Sequence, residues 1–270
     1  MYEAYWNLKS QPFSRNSGET FFFPSLSVES TLQRMTWALE NLSGPVLIPG
    51  PSGSGKTTLV RRFASEFSEY SPFIQMLFPV LSADEMLRMI LRELSGQESL
   101  PALGRDGTLV GIRSALRQHS ETGATLLFFD DAHLFSDEIL VQVLHPLLCL
   151  AEAESSIQLK MVLAGQPHLA ERIQRFPAVS ERIAVCSPLE LLSCEETSDF
   201  VTLSLAAAGC ETPVFSPDSL VRLHRLTDGN PRRIARLCEM ALLVGFAEEQ
   251  QQIDVAVIDA VAKEVLRAAA

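Results

Sequence analysis

Residues 50 to 57 read Gly50-Pro51-Ser52-Gly53-Ser54-Gly55-Lys56-Thr57, and no other stretch limits the possible folds of the chain as strongly. The octapeptide satisfies G-x-x-x-x-G-K-[ST], follows the apolar run VLIP and precedes the helical pattern TTLVRRFASEF. Strand, glycine-rich turn and helix in that order let successive amides point at an anion, and the helix adds the positive end of its dipole. The expected chemistry is nucleotide binding: a cradle from Gly50 to Gly55, Lys56 reaching the β- and γ-phosphates, Thr57 holding Mg²⁺, and Thr58 next in the binding set.

A strand-loop-helix unit of this kind needs a sheet to stand in. Short apolar runs ending in turn residues recur along the chain: PVLIPG, FIQMLFPV, TLLFFDD, LKMVLAGQ and ERIAVCSPL, with helical patterns between them. That alternation predicts a parallel sheet covered by helices on both faces, and the all-apolar LLFF and MVLAG suit strands buried on both sides. After Pro188 four helical segments follow: LSCEETSDFVTLSLAAAG, SPDSLVRLHRLTDG, NPRRIARLCEMALLVGFAEE and IDVAVIDAVAKEVLRAA. The predicted division is an α/β nucleotide-binding domain over 1–188, opened by an aromatic segment at 1–25, and a helical lid over 189–270. Helix starts are expected at Ser216 and at Ser193, whose spacing to Glu196 is that of a capping box. The polar, glycine-containing stretch from Ser95 to Thr108 reads as a loop.

About seventy residues beyond the phosphate loop comes TLLFFDDAH. Asp130 ends the apolar run and is placed to hold Mg²⁺ or its water ligand; Asp131 stands where a general base for an attacking water belongs. Aspartate is one methylene shorter than glutamate, a retreat of about 1.5 Å, and a misplacement of about 1 Å can cost roughly a hundredfold in rate. Binding is expected to tolerate the difference better than turnover.

Composition narrows the function classes. The 270 residues are 47% hydrophobic and 20% charged, as in a globular protein, and the formal net charge of −11 repels nucleic acid and anionic lipid. No run reaches the roughly eighteen apolar residues of a membrane-spanning helix and no secretory signal is visible at Met1, so a cytoplasmic location without membrane insertion is expected. The five cysteines (Cys149, Cys186, Cys194, Cys210, Cys238) are widely spaced and read as reduced thiols, and the five histidines lack metal-ligand spacing. Of these, His133 follows the acidic pair by two residues, where it could couple the site to its surroundings, and a satisfied structural role is expected for it.

The opening YWNLKSQPFSRN with FFFPS, the phosphate loop, FDDAH, AGQPHL, SERI and DGNPRRIARLC together resemble AAA+ ATPases of the ExeA (GspA) general-secretion type across nearly the whole chain. The resemblance implies a P-loop NTPase core of three layers followed by a helical lid, ATP and Mg²⁺ as cofactors, ATP hydrolysis, homo-oligomerisation and an envelope or secretion-system protein as partner. Longer members continue into a membrane helix and a peptidoglycan-binding domain, so the likeness is to a short form. The family's usual acidic string is D-E-A-Q or D-E-A-H, and Asp131 departs from it.

By the same resemblance Gln166 is the polar sensor of the γ-phosphate. Arg182 in SERIAV is similar to the arginine that points into a neighbouring subunit, with Arg172 and Arg175 as alternatives. Arg232 in GNPR matches the lid arginine over the γ-phosphate, and Pro12 with Phe13 stand on the adenine side. Two other readings remain open. One is a DNA-associated regulator similar to transposition ATPases of the TniB and IstB type, disfavoured by net charge; the other is a nucleotide-holding switch with very slow hydrolysis.

Overall fold

The computed structural model describes residues 2–13, 22–77, 81–97, 101 and 103–267. Along the chain the elements are α1 (Tyr2–Tyr5), α2 (Leu26–Asn41), β1 (Val46–Pro49), α3 (Lys56–Glu66), β2 (Phe73–Met76), α4 (Ala83–Ser95), α5 (Arg105–His119), β3 (Thr125–Phe129), α6 (Asp137–Ile139), α7 (His145–Ala153), β4 (Leu159–Gly165), α8 (His168–Ile173), α9 (Pro177–Ser180) and β5 (Val185–Cys186). Then follow α10 (Cys194–Ala207), α11 (Pro217–Thr227), α12 (Pro231–Ala247) and α13 (Val255–Arg267). The five expected apolar runs supply the five strands.

The sheet is wholly parallel in the order β2-β3-β4-β1-β5. Pro49 stands opposite Gly165 and Phe129 opposite Leu163, so the carboxyl ends of β1, β4 and β3 lie side by side in that order. In open parallel sheets ligands bind at these ends, where consecutive connections leave in opposite directions. All four residues of β1 and all five of β3 are buried, as two-sided coverage by helices requires. The core beneath them joins Phe129, Phe135, Met86, Ile90, Ile112, Leu144 and Leu163.

Two compact units are formed: Ser27–Ser52 with Lys56–Leu189, and Met1–Leu26 with Gly53–Gly55 and Glu190–Ala270. The described residues of the N-terminal segment therefore belong with the four helices rather than with the sheet. Tyr2, Trp6, Leu8 and Phe13 are buried among Val201, Leu205, Leu237 and Leu242. Aromatic rings carry the largest apolar areas, and a helical layer with an open seam captures them. Gly245 makes the seam for Trp6: a Cβ there would lie 2.9 Å from the indole. The indole Nε1 donates to the Leu242 carbonyl at 2.9 Å, and Phe13 packs on Phe200 with ring centroids 6.3 Å apart. Replacing Trp6 by alanine is expected to destabilise the helical unit by about 3 to 5 kcal/mol, read as an earlier urea midpoint in far-ultraviolet dichroism.

Local signals account for the helix ends. The Ser193 side chain accepts from Glu196 N while Glu196 returns to Ser193 N, and Ser216 accepts from Ser219 N, both as expected. A second capping box, Ser82 with Glu85, opens α4, and its bonds hold the Glu85 carboxyl below its ordinary pKa. The loop expected from Ser95 to Thr108 is shorter than its composition suggested, because α5 begins at Arg105. Residues 98–100 and 102 of that stretch, like Phe21, the first residue of FFFPS, lie outside the described residues. No helix among the described residues is long and apolar enough to cross a membrane.

Candidate nucleotide site

The loop after β1 is held from inside. Gly50 N donates to the Gly165 carbonyl at 3.0 Å, tying the loop's entrance to the end of β4. Lys56, only 7% exposed, folds back to donate from Nζ to the carbonyls of Gly50 and Pro51, each at 2.8 Å. A buried ammonium demands such acceptors, and here they place it under the concave side of the turn. Gly53 and Gly55 adopt φ of 83° and 100°, the left-handed geometry that aims consecutive amides inward.

Thr57 Oγ1 donates to Asp130 Oδ2 at 2.7 Å, across from the start of α3 to the end of β3. Two hard oxygen donors so close suit Mg²⁺, which takes one or two protein oxygens and completes its shell with water and phosphate. The buried Ser54 Oγ makes no hydrogen bond within the described residues. An orphaned hydroxyl inside a glycine-rich turn of this pattern fits a ligand that supplies its partner. These features accommodate a nucleoside triphosphate with its metal. Thr58, third in α3, is exposed.

Asp131 is the N-cap of a 3₁₀ turn, Ala132–Leu134, and adopts φ 47°, ψ 35°. Left-handed backbone costs a non-glycine residue about 1 kcal/mol or more and is tolerated best by Asp and Asn. Its amide donates to Asp130 Oδ1 at 3.0 Å and its carbonyl accepts from Leu134 N at 2.9 Å, so neighbouring bonds fix the turn. The side chain itself is 62% exposed. Gln166 continues β4 immediately after Gly165, beside the entrance of the loop, and its carbonyl accepts from Leu169 N.

The candidate arginines separate by their partners. Arg172 donates to the His133 carbonyl at 3.2 Å and grips Asp137 at 2.5 Å, so it braces the turn after the acidic pair. Arg182 donates to Glu152 at 2.8 Å and to the Ala178 carbonyl at 2.7 Å, and is not gathered with Lys56, Thr57 and Asp130. Arg175 is exposed. In the helical unit, Arg232 opens α12, and its amide donates to the capping Asn230 Oδ1 at 3.1 Å. A Cβ on Gly53 would meet that same Oδ1 at 2.6 Å and the Arg232 Cβ at 2.9 Å, so the loop's middle glycine grants close approach to this helix start.

Sequence reasoning missed two contributors. Gln75 Nε2 donates to Asp130 at 3.2 Å while its Oε1 accepts from Arg61 at 2.9 Å; a lone amide in the apolar run FIQM was the available signal. Gly165 is required because a Cβ there would meet His133 N at 3.0 Å and Leu169 at 2.7 Å. His133, singled out in the sequence with a structural role expected, is buried, its side chain 8% exposed. Burial, the largest cause, lowers its pKa below the ordinary value; Asp131 opposes that shift, while His168 and Lys56 add to it.

Comparison with known proteins gives the fold its relatives. Residues 40–173 match the family model described as AAA domain. General secretion pathway protein A of Aeromonas hydrophila is 28% identical over 262 residues, 94% of this chain and 46% of that protein, so the chain spans about half the length of this relative. Among solved structures, the ORC2 protein of Aeropyrum pernix superposes with TM-score 0.72 at 18% identity over 95% of this chain and 72% of that one. Cdc6p of Pyrobaculum aerophilum does so at 0.70 and 18% over 90% and 67%, and the RuvB Holliday junction branch migration motor of Thermotoga maritima at 0.62 and 17% over 94% and 73%. Sheet order, phosphate loop and following helices thus share the fold of P-loop NTPases of the AAA+ type.

Proposed function

We propose that this chain binds ATP with Mg²⁺ and hydrolyses it slowly, as an oligomeric assembly or remodelling factor for a secretion or pilus-type envelope system. The observation that carries the reading is the direct pairing of Thr57 with Asp130 above a buried Lys56. The envelope role rests on the likeness to general secretion pathway protein A over 94% of the chain. Bound Mg²⁺ would neutralise charge developing on the phosphates. Lys56 and the loop amides bind and orient those phosphates, Asp131 accepts the water's proton, and Gln166 orients the water. Arg232 adds charge from the helical unit.

Arg182 serves best as the arginine supplied to a neighbouring copy. Its bonds to Glu152 and Ala178 are exposed, and leaving an exposed ion pair costs about 1 kcal/mol or less. Arg172 has no such freedom without dismantling the turn after Asp131.

Steady-state hydrolysis across a range of protein concentrations tests the reading. Turnover per subunit is expected to rise with concentration and to fall in Arg182→Ala. Asp131→Asn is expected to lower turnover about a hundredfold while nucleotide affinity holds, and Asp131→Glu to raise turnover by restoring the longer reach. Flat, concentration-independent turnover that survives Arg182→Ala would remove the oligomeric mechanism. A wild type without turnover that gains it in Asp131→Glu would favour a nucleotide-holding switch.

A further inference from the structure

The turn after the acidic pair buries a histidine that the mechanism above does not use. His133 Nδ1 makes no hydrogen bond within the described residues, although buried polar nitrogens are nearly always satisfied. Asp131 Oδ1 lies 3.8 Å away, just beyond bonding distance, on a side chain that is 62% exposed. The imidazole is the more confined of the two. Its backbone is pressed against Gly165, its carbonyl is held by Arg172, and its ring stands edge-on to His168 at 5.5 Å.

We propose that His133 is a positioning residue for Asp131: its Nδ1–H donates to the Asp131 carboxylate, holds one oxygen and presents the other to the attacking water. This rests on the hydrolytic reading above. The need for it follows from the shorter carboxylate. An aspartate in left-handed backbone and 62% exposed has rotamers that point away from the site, and a fixed donor selects the useful one. The low pKa keeps the ring neutral at pH 7, and a neutral ring carries one N–H, which the geometry assigns to Nδ1.

Two measurements on the full chain test this. In kinetics, His133→Phe keeps the ring's bulk without a donor and is expected to lower kcat about ten- to a hundredfold with KM unchanged. His133→Asn, whose amide N–H occupies nearly the same place, is expected to recover most of the loss. In Asp131→Glu the same His133→Phe change is expected to matter severalfold less. Equal kcat in wild type and His133→Phe would overturn the proposal. In ¹⁵N spectra of the imidazoles, assigned by loss of the His133 signals in His133→Phe, the Nδ1–H tautomer is expected and should be perturbed by Asp131→Ala. An Nε2–H tautomer indifferent to Asp131→Ala would overturn the proposal even if the wild type does not hydrolyse ATP, an outcome that would by itself sink the hydrolytic reading.

Discussion

Lys56→Ala is expected to abolish measurable ATP turnover and to weaken nucleotide binding at least tenfold. Two separate losses combine. The ammonium that would face the phosphates disappears, and removing one preorganised charged donor from such a site costs roughly a hundred- to a thousandfold in rate. The carbonyls of Gly50 and Pro51 also lose the donor that holds the turn closed, so the cradle itself relaxes. Lys56→Arg separates the two terms: it keeps the charge, but a planar guanidinium cannot fold into the space of a compact ammonium under two carbonyls. The variant is expected to bind nucleotide with intermediate affinity and to remain inactive. Equilibrium titration with a fluorescent nucleotide beside steady-state turnover checks both. Full turnover in Lys56→Ala would place the phosphate site elsewhere.

The second large effect concerns stability. Gly229→Ala is expected to destabilise the helical unit by about 2 to 5 kcal/mol, the sum of about 1 to 2 for left-handed backbone and about 1 to 3 for overpacking. Gly229 has φ +70° and a Cβ there would lie 2.0 Å from the Leu192 carbonyl oxygen. The two residues are already joined, since Leu192 N donates to the Gly229 carbonyl at 2.9 Å. Relieving the clash therefore breaks that bond or displaces Asn230 and Arg232, the start of α12. Gly96 provides the internal standard: φ is +64°, and nothing lies within 4 Å of an added Cβ. Gly96→Ala is expected to cost only the conformational part, about 1 to 2 kcal/mol. Equal urea midpoints for the two variants would show that the contact with Leu192 contributes nothing. Weaker nucleotide binding in Gly229→Ala but not in Gly96→Ala would connect the turn to Arg232.

Much of the candidate site was legible because its residues are neighbours in the chain. GPSGSGKT carries its own geometry, and FDDAH its own turn, since local hydrogen bonds and backbone preferences act over a few residues. The five apolar runs were equally plain, because strands buried on two faces admit little else. The aromatic opening was legible as apolar but not as to which unit would receive it. Trp6 found its place against Leu242 and Gly245, more than 230 residues away, and periodicity carries no information about such a pairing. The loop expected up to Thr108 failed for a local reason: Arg105 and Asp106 begin a helix despite two glycines close by, because Ile112 and Leu116 on its inner face are fully buried.

Chain order alone therefore settled the phosphate loop, the sheet's strands and the four late helices, all properties written in short-range pattern. Tertiary structure decided which side chains meet. It set Gln75 beside Asp130, put Arg172 under the acidic turn instead of leaving it free, paired Arg182 with Glu152, and left the His133 ring facing Asp131 without a bond. The physical reason is that strand order in a parallel sheet is set by burial over the whole domain. The registers of β1, β4 and β3 bring together residues that no local preference relates.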